Sequence, residues 1–473
     1  MSLPSIPPNK PLKSLGDLSE AQQQAVDALY AGNKLLIAPK GFGKAVVGQT
    51  AIQDLQDEGY LGAVLVLAPL KVCELTWACE WEKWQHLRPP IMAIGDERTR
   101  HMAIGDAVLA IANGEAPIVV MNFENVAWYC EHYRVHKSTG FNFTGLLVDE
   151  STKLKAAGGE AFKALRNELR YFSWRCAMTA DPVAEIGVGI YTQAMIVDNG
   201  DALGRNLEAF RRKYFYPTDF QQRKWSVLPG MDKALGDVLQ DVLYVVRDDS
   251  YEASLPELVD KVVFVEMPAD AWHVYYALES DGGYTSDTFS VVADTAALVV
   301  AKQQQVTAGA VYDSPANPKD RKAHWLHTAK LDALFKIVQA ARGPLAIAYK
   351  YTFELDFLRE VWPDIAVLGE NPKAVEDAWN AGAVRLMALH PSSCSHGLNL
   401  QYGGCDLVVL SLPWGADPWE QLVGRFRRRG QRSAVVTRTV ICVADSIDMK
   451  ILARHKQKAY DSETLNDALA GDE

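Results

Sequence analysis

Arg425 and Arg428 stand three residues apart in QLVGRFRRRGQ, Gln421 to Gln431. On a helix that spacing puts both guanidiniums on one face. A fixed guanidinium pair suits a transferring γ-phosphoryl group, whose negative charge spreads over its oxygens. Far upstream lies Gly41-Phe42-Gly43-Lys44, between an apolar run and a helical pattern. Glycines let the backbone N–H groups turn toward phosphate oxygens, and the helix start adds the positive end of its dipole. Lys44 supplies a point charge for the β- and γ-phosphates. A third segment, LLVDEST (Leu146 to Thr152), ends an apolar run in two carboxylates. Asp149 is suited to hold magnesium through water, and Glu150 to orient or deprotonate an attacking water.

Position 45 departs from the pattern of a magnesium-dependent phosphate loop, which carries Ser or Thr there as a metal ligand. Here it is Ala45, and a methyl group cannot ligate. Thr50 is more than one helical turn further on and cannot substitute. Three outcomes fit: water takes the hydroxyl's place and turnover weakens, the loop binds nucleotide and barely hydrolyses it, or the residue was engineered.

The elements that must position these groups read as two α/β lobes in tandem. Residues 18–30 give an amphipathic helix, with Leu18, Ala25, Val26 and Leu29 at helical spacing. LLIAP, AVLVLAP, PIVVMNF and LLVDE are short buried strands separated by helical stretches, which predicts a parallel sheet covered on both faces. Trp77, Trp81 and Trp84 share a helical face and are expected to pack on that sheet. Residues 190–255 read as a mainly helical insertion on the first lobe. The strand pattern restarts near residue 259 with VVFVEM and continues through LAIAYK, VRLMALH, DLVVLSLP and SAVVTRTVICV. The expected organisation is therefore a flexible leader (1–14), a first lobe (15–258), a second lobe (259–460) and an acidic tail (461–473). Residues 302–325 read as a loop-rich connection.

Composition narrows the class. Hydrophobic residues make up 48% and charged residues 23% of 473, ordinary for a globular protein of two or three domains. No apolar run reaches membrane-spanning length, and the Pro- and Ser-rich start lacks the apolar segment of a signal peptide or anchor. Seven singly scattered cysteines without a CxxC pair fit reduced thiols in a cytoplasmic protein. The net charge of −11 argues against a general polyanion binder. It leaves room for local basic tracks at Arg211-Arg212-Lys213 and Arg425 to Arg432. His132/His136 and His324/His327 have ligand-like spacing but read as surface helix residues.

Taken in order, the motifs resemble the superfamily 2 helicase-like ATPases of the Swi/Snf type, above all the short forms encoded by bacteriophages. The resemblance covers residues 15–455. Gln22 in LSEAQQQAV resembles the family's adenine-reading glutamine, and APKGFGKA its motif I. VLVLAPLKVCELTWACEWEKW resembles motif Ia, VDESTKLK motif II and MTADPVAE motif III. LAIAYK resembles motif IV, CSHGLNLQYGGCD motif V and QLVGRFRRRGQ motif VI. The resemblance implies two RecA-like lobes with ATP and Mg2+ between them. Nucleotide would be contacted by Gln22, Lys40, Gly41, Phe42, Gly43, Lys44, Ala45 and Gly397, and the metal by Asp149. Lys44, Asp149, Glu150, Gln421, Arg425 and Arg428 would serve hydrolysis, the arginines coming from the second lobe on closure. Thr179, Ser395 and Asn399 would couple the ATP site to duplex or branched DNA held mainly by its phosphate backbone. A monomer is the expected working unit, with no membrane partner. Ala180-Asp181 replaces the Gly-Thr usual in motif III. Two rivals stay open: a degenerate module that binds nucleotide and DNA or protein without translocating, and an RNA-directed relative.

Overall fold

The computed structural model describes residues 12–39, 41–133, 143–154, 157–180, 188–217, 225–228, 230–246, 254–315, 321–369, 371–391 and 398–457. Most of the leader (1–11), the acidic tail and site residues Lys40, Ser395 and Gly397 lie outside that set. The chain divides into two units, with the boundary between Asp248 and Asp249.

The first unit is built on a seven-stranded sheet. Its strands are β1 (Leu35–Ile37), β2 (Val64–Ala68), β3 (Ile91–Met92), β4 (Ile118–Asn122), β5 (Gly145–Asp149), β6 (Trp174–Thr179) and, past a hairpin of β7 (Phe215–Pro217) and β8 (Trp225–Val227), β9 (Leu243–Val245). The order across the sheet is β3-β4-β2-β5-β6-β1-β9, and its ladders are parallel. β1, β2, β4 and β5 are buried along their whole length. That is why they read as unbroken apolar runs rather than alternating ones. The pleat nevertheless sorts the side chains. Leu35, Ile37, Leu65, Leu67, Leu146 and Val148 enter one core, and Leu36, Val64, Val66 and Leu147 enter the other. Each such burial contributes roughly 1.5–3 kcal/mol.

Helices α1 (Glu20–Tyr30), α2 (Lys44–Asp57), α3 (Glu97–Ala112), α4 (Val126–Tyr133) and α5 (Glu160–Glu168) belong to this unit. The segment expected as a helical insertion holds α6 (Val188–Asp198), α7 (Leu207–Tyr214) and α8 (Met231–Leu239). Its last strand, β9, pairs in parallel with β1, so the segment closes the edge of the sheet. The tryptophan helix is irregular: Cys73–Trp77 winds as a π-helical turn between two short α-helical turns. Trp77 packs on the sheet, whereas Trp84 lies past the helical winding and packs with Val46 and Leu87. The expected common face is thus split, because the π turn shifts the angular spacing.

The second unit has its own six-stranded sheet, order β10-β19-β18-β15-β17-β16. Its strands are β10 (Glu257–Val265), β15 (Leu345–Ala348), β16 (Ala366–Val367), β17 (Leu386–Leu389), β18 (Asp406–Val409) and β19 (Val435–Val443), again with parallel ladders. Two hairpins, β11 (Gly283–Thr285) with β12 (Ser290–Val292) and β13 (Ala310–Tyr312) with β14 (Ala323–Trp325), are antiparallel. Its helices include α9 (Ala269–Ser280), α10 (Ala296–Ala308), α11 (Ala329–Ala340), α12 (Thr352–Val361), α13 (Pro372–Asn380) and α14 (Ala416–Val423). The expected loop at 302–325 is therefore corrected. Its start completes α10, where Lys302, Gln303 and Gln304 are buried, and the rest carries β13 and β14. Polar side chains hid this element: Gln304 donates to the Leu412 carbonyl, and Lys302 to that of Tyr312. His324 and His327 are likewise not on a helix. His324 lies on β14 against Asp313 and Phe289, and His327 bonds the Val306 carbonyl.

Candidate active site

The site in the first unit forms where β1, β6 and β5 end side by side. β6 lies between the other two, with Ile37 in register with Thr179 and Met178 with Asp149. Thr179 is buried, and its carbonyl accepts from the Ala38 amide at 3.0 Å. Beyond Ala38 the chain turns through Gly41 (φ 86°) and Gly43 (φ 92°), both in the left-handed region that favours glycine. At Gly43 a Cβ would also come within 2.7 Å of the Gln22 side-chain nitrogen.

Gln22 is fixed at both ends of its amide. Its Oε1 accepts from the Ser19 amide at 2.9 Å, closing the capping box of α1, and its Nε2 donates to the Phe42 carbonyl at 2.6 Å. The start of α1 is thereby tied to the Gly41–Gly43 turn. Lys44 is the first residue of α2, and its ammonium donates to the Ala38 and Pro39 carbonyls at 3.2 and 3.4 Å. Ala45 is buried in the apolar cluster that contains Phe42 and Val47. Thr50, more than one helical turn beyond, is bonded to His86 at 2.9 Å.

Asp149 is 4% exposed. Its Oδ2 accepts from the Trp77 indole at 3.0 Å and its Oδ1 from the Glu150 amide at 3.0 Å. Burial, and next the neighbouring Glu150, push its carboxyl up to about 6; the Lys44 ammonium and the two hydrogen bonds pull the other way. Glu150 adopts φ 54°, a left-handed backbone uncommon for a residue with a side chain and found at functional sites. The next residue, Ser151, is fully buried and donates to Gln193 on α6 at 2.7 Å.

In the second unit the arginines are not on a helix. α14 carries Gln421 and ends at Val423, with Gly424 as its cap. Arg425 and Arg428 follow in turns. A carbonyl, not helical periodicity, brings them together: both donate to the Leu398 oxygen, at 3.4 and 3.2 Å. Arg428 also donates to Gly424 O at 2.6 Å and to Asn399 Oδ1 at 2.8 Å. The Asn399 amide in turn donates to Glu376 at 2.8 Å. Trp379 backs this stretch, donating to the Leu400 carbonyl at 2.8 Å. Any Cβ at Gly403 or Gly404 would lie 2.3 or 2.6 Å from its atoms.

Residues 21–310 match the SNF2-related domain. The chain belongs to the SNF2-related family. It is 30% identical over 452 residues to putative protein p41 of Acyrthosiphon pisum secondary endosymbiont phage 1, across 91% of this chain and 94% of that protein. A solved Sulfolobus solfataricus SWI2/SNF2 ATPase core in complex with dsDNA is 16% identical, covering 98% of this chain and 96% of that one with a TM-score of 0.43.

Within this SNF2-related chain, Trp77 is the site residue that sequence reasoning missed. Read as core packing, it is fully buried and also holds Asp149. The available signal was chemical: a buried indole N–H needs an acceptor. The basic tracks are partly engaged elsewhere. Arg211 pairs with Glu208 at 2.9 Å, and Arg427 and Arg429 bond Pro256 O and Ser254 at 3.0 and 2.9 Å. ATP and Mg2+, which this family of ATPases uses, fit the residues in part. The turned loop and Lys44 suit phosphates and Asp149 suits a cation, but the buried methyl of Ala45 offers no ligand. Among the described residues no helix is long and apolar enough to cross a membrane.

Proposed function

We propose that the protein is an ATP-driven translocase acting on duplex or branched DNA. One observation carries the ATP half of this reading: Lys44, which starts the helix after β1, and the buried Asp149, which ends β5 one strand beyond β6, are close enough for their charges to interact. In this reading Gln22 reads the adenine through the second N–H and second lone pair that its bonds to Phe42 and Ser19 leave on the amide. The Gly41–Gly43 turn cradles the phosphates, with Lys40 and Ala45 lining it, and Lys44 neutralises them. Asp149 holds the magnesium ion, which when bound supplies charge neutralisation to the phosphates. Glu150 positions or deprotonates the attacking water. Gln421, Arg425 and Arg428 supply polar and positive groups to the transferring phosphoryl group, and Gly397 lets the backbone approach. Thr179, Ser395 and Asn399 pass nucleotide state to the DNA track. For Asn399 the motivating contact is its bond to Arg428.

The test is ATP turnover with no nucleic acid, single strand, duplex and branched DNA, measured side by side. Stimulation by duplex or branched DNA is expected. Turnover indifferent to all four, with nucleotide still bound, defeats the translocase reading.

The burial of Ala45 in an apolar cluster favours a second reading, a nucleotide-binding module that hydrolyses poorly. Ala45→Thr separates the two. A gain of tenfold or more in turnover, about 1.4 kcal/mol of barrier, identifies a motor missing one ligand. Unchanged low turnover with tight nucleotide binding supports the module.

A further inference from the structure

A cluster on the first unit, away from the strand ends just described, joins α3 to α4. Glu97 and His101 stand four residues apart on α3, and His132 lies on α4. One ligand atom from each lies within 4.8 Å of the others. The Nε2 atoms of His101 and His132 are 3.6 and 3.8 Å from Glu97 Oε1. These separations are too long for hydrogen bonds. They are close to the edge of roughly 3.3 Å that tetrahedral ligands 2.0–2.1 Å from a zinc ion would span.

The outer contacts orient both rings. His132 Nδ1 is 2.9 Å from the Trp128 carbonyl. A carbonyl only accepts, so Nδ1 carries the proton, and in the neutral ring Nε2 presents a lone pair. That lone pair faces the Glu97 carboxylate oxygen, acceptor against acceptor. His101 Nδ1 is engaged by the Tyr133 hydroxyl, which leaves its Nε2 toward the same oxygen. The Trp128 indole donates to Glu97 Oε1 at 3.3 Å, while the Arg100 guanidinium bonds Asn125 and lies 4.4 Å over the Trp128 ring rather than pairing with Glu97. Imidazoles held through Nδ1 and a hydrogen-bonded carboxylate are the outer arrangement of metal ligands. A cation among the three atoms would resolve the facing lone pairs. Nitrogen-rich donors favour zinc-class transition ions over magnesium or calcium.

We propose that Glu97, His101 and His132 form a site for a divalent zinc-class ion that links α3 to α4, with a remaining position for water. All three side chains are partly exposed, at 59%, 42% and 37%, so solvent ions can enter.

The test uses the full chain stripped of metal. Co2+ is titrated while visible d–d absorption is recorded, and Zn2+ is titrated in a calorimeter. One equivalent of each is expected, with Zn2+ displacing Co2+ and raising the melting temperature. His101→Ala and His132→Ala should each weaken binding by at least about tenfold and remove the zinc-dependent rise in melting temperature. Asp149→Asn should leave both intact, separating this site from the nucleotide site. Absence of stoichiometric binding overturns the proposal. Binding that survives both histidine substitutions also overturns it, pointing instead to thiols such as Cys79 and Cys405.

Discussion

The indole N–H of Trp77 donates to the carboxylate of Asp149 at 3.0 Å, and both residues are buried. A π-helical turn brings the indole there. The apolar packing of the tryptophan and the polar setting of the acid are therefore one arrangement.

Removing the donor while keeping an aromatic ring isolates that arrangement. Trp77→Phe leaves Asp149 Oδ2 buried without its partner, which should cost about 1–3 kcal/mol of stability. Urea unfolding measures the cost, and ATP turnover should shift to higher pH as the carboxyl becomes harder to ionise. A variant as stable as the parent would mean the bond contributes nothing net.

Asp149 also sets a pH dependence. Its folded carboxyl is pushed up to about 6 from an ordinary 3.8, so between those values the folded chain holds a proton that the unfolded chain has released. The associated stability is fully present below the unfolded value and is lost as pH rises through the folded one. Asp149→Asn cannot titrate. Between about pH 4 and pH 7 its unfolding midpoint should fall less than that of the parent, and parallel curves would refute the assignment.

The loop and α1 should be energetically coupled through Gln22 and Gly43. Gly43→Ala meets a left-handed φ of 92° and a contact of 2.7 Å with the Gln22 amide. The backbone part alone should cost about 1–2 kcal/mol. Gln22→Ala relieves the contact but not the backbone strain. The double variant should accordingly be less destabilised than the sum of the singles, by about 0.5–3 kcal/mol. Strict additivity in a double-mutant cycle would show that the two do not interact.

Arg428 and Asn399 offer the same experiment in the second unit. Their bond of 2.8 Å joins the turn after α14 to the stretch held by Glu376 and Trp379. Arg428→Ala and Asn399→Ala should be non-additive in stability by about 0.5–1.5 kcal/mol. Arg428→Lys keeps the charge but loses the planar fork, and should not rescue the coupling.

The strands were legible because parallel strands buried on both faces leave unbroken apolar runs, as in Leu35–Ile37 and Leu146–Val148. The turn between β1 and α2 was legible because glycine is the residue that tolerates φ near 90°, as at Gly41 and Gly43. Residues 302–325 were not, since the buried residues of α10 include the polar Lys302, Gln303, Gln304 and Thr307. A hydrophobic pattern is blind to polar groups whose partners come from distant segments.

Local sequence thus determined the chemistry available: a glycine-lysine loop, a carboxylate pair and two arginines. Strand order is a long-range property, and only the folded sheet set β6 between β5 and β1, bringing Thr179 beside both the loop and the acid. Folding also replaced the expected helical face with a shared carbonyl, that of Leu398, as the element gathering Arg425 and Arg428. Guanidiniums follow whichever acceptors the surrounding backbone presents. Those acceptors come from residues nearly thirty positions away, a separation that no local periodicity encodes.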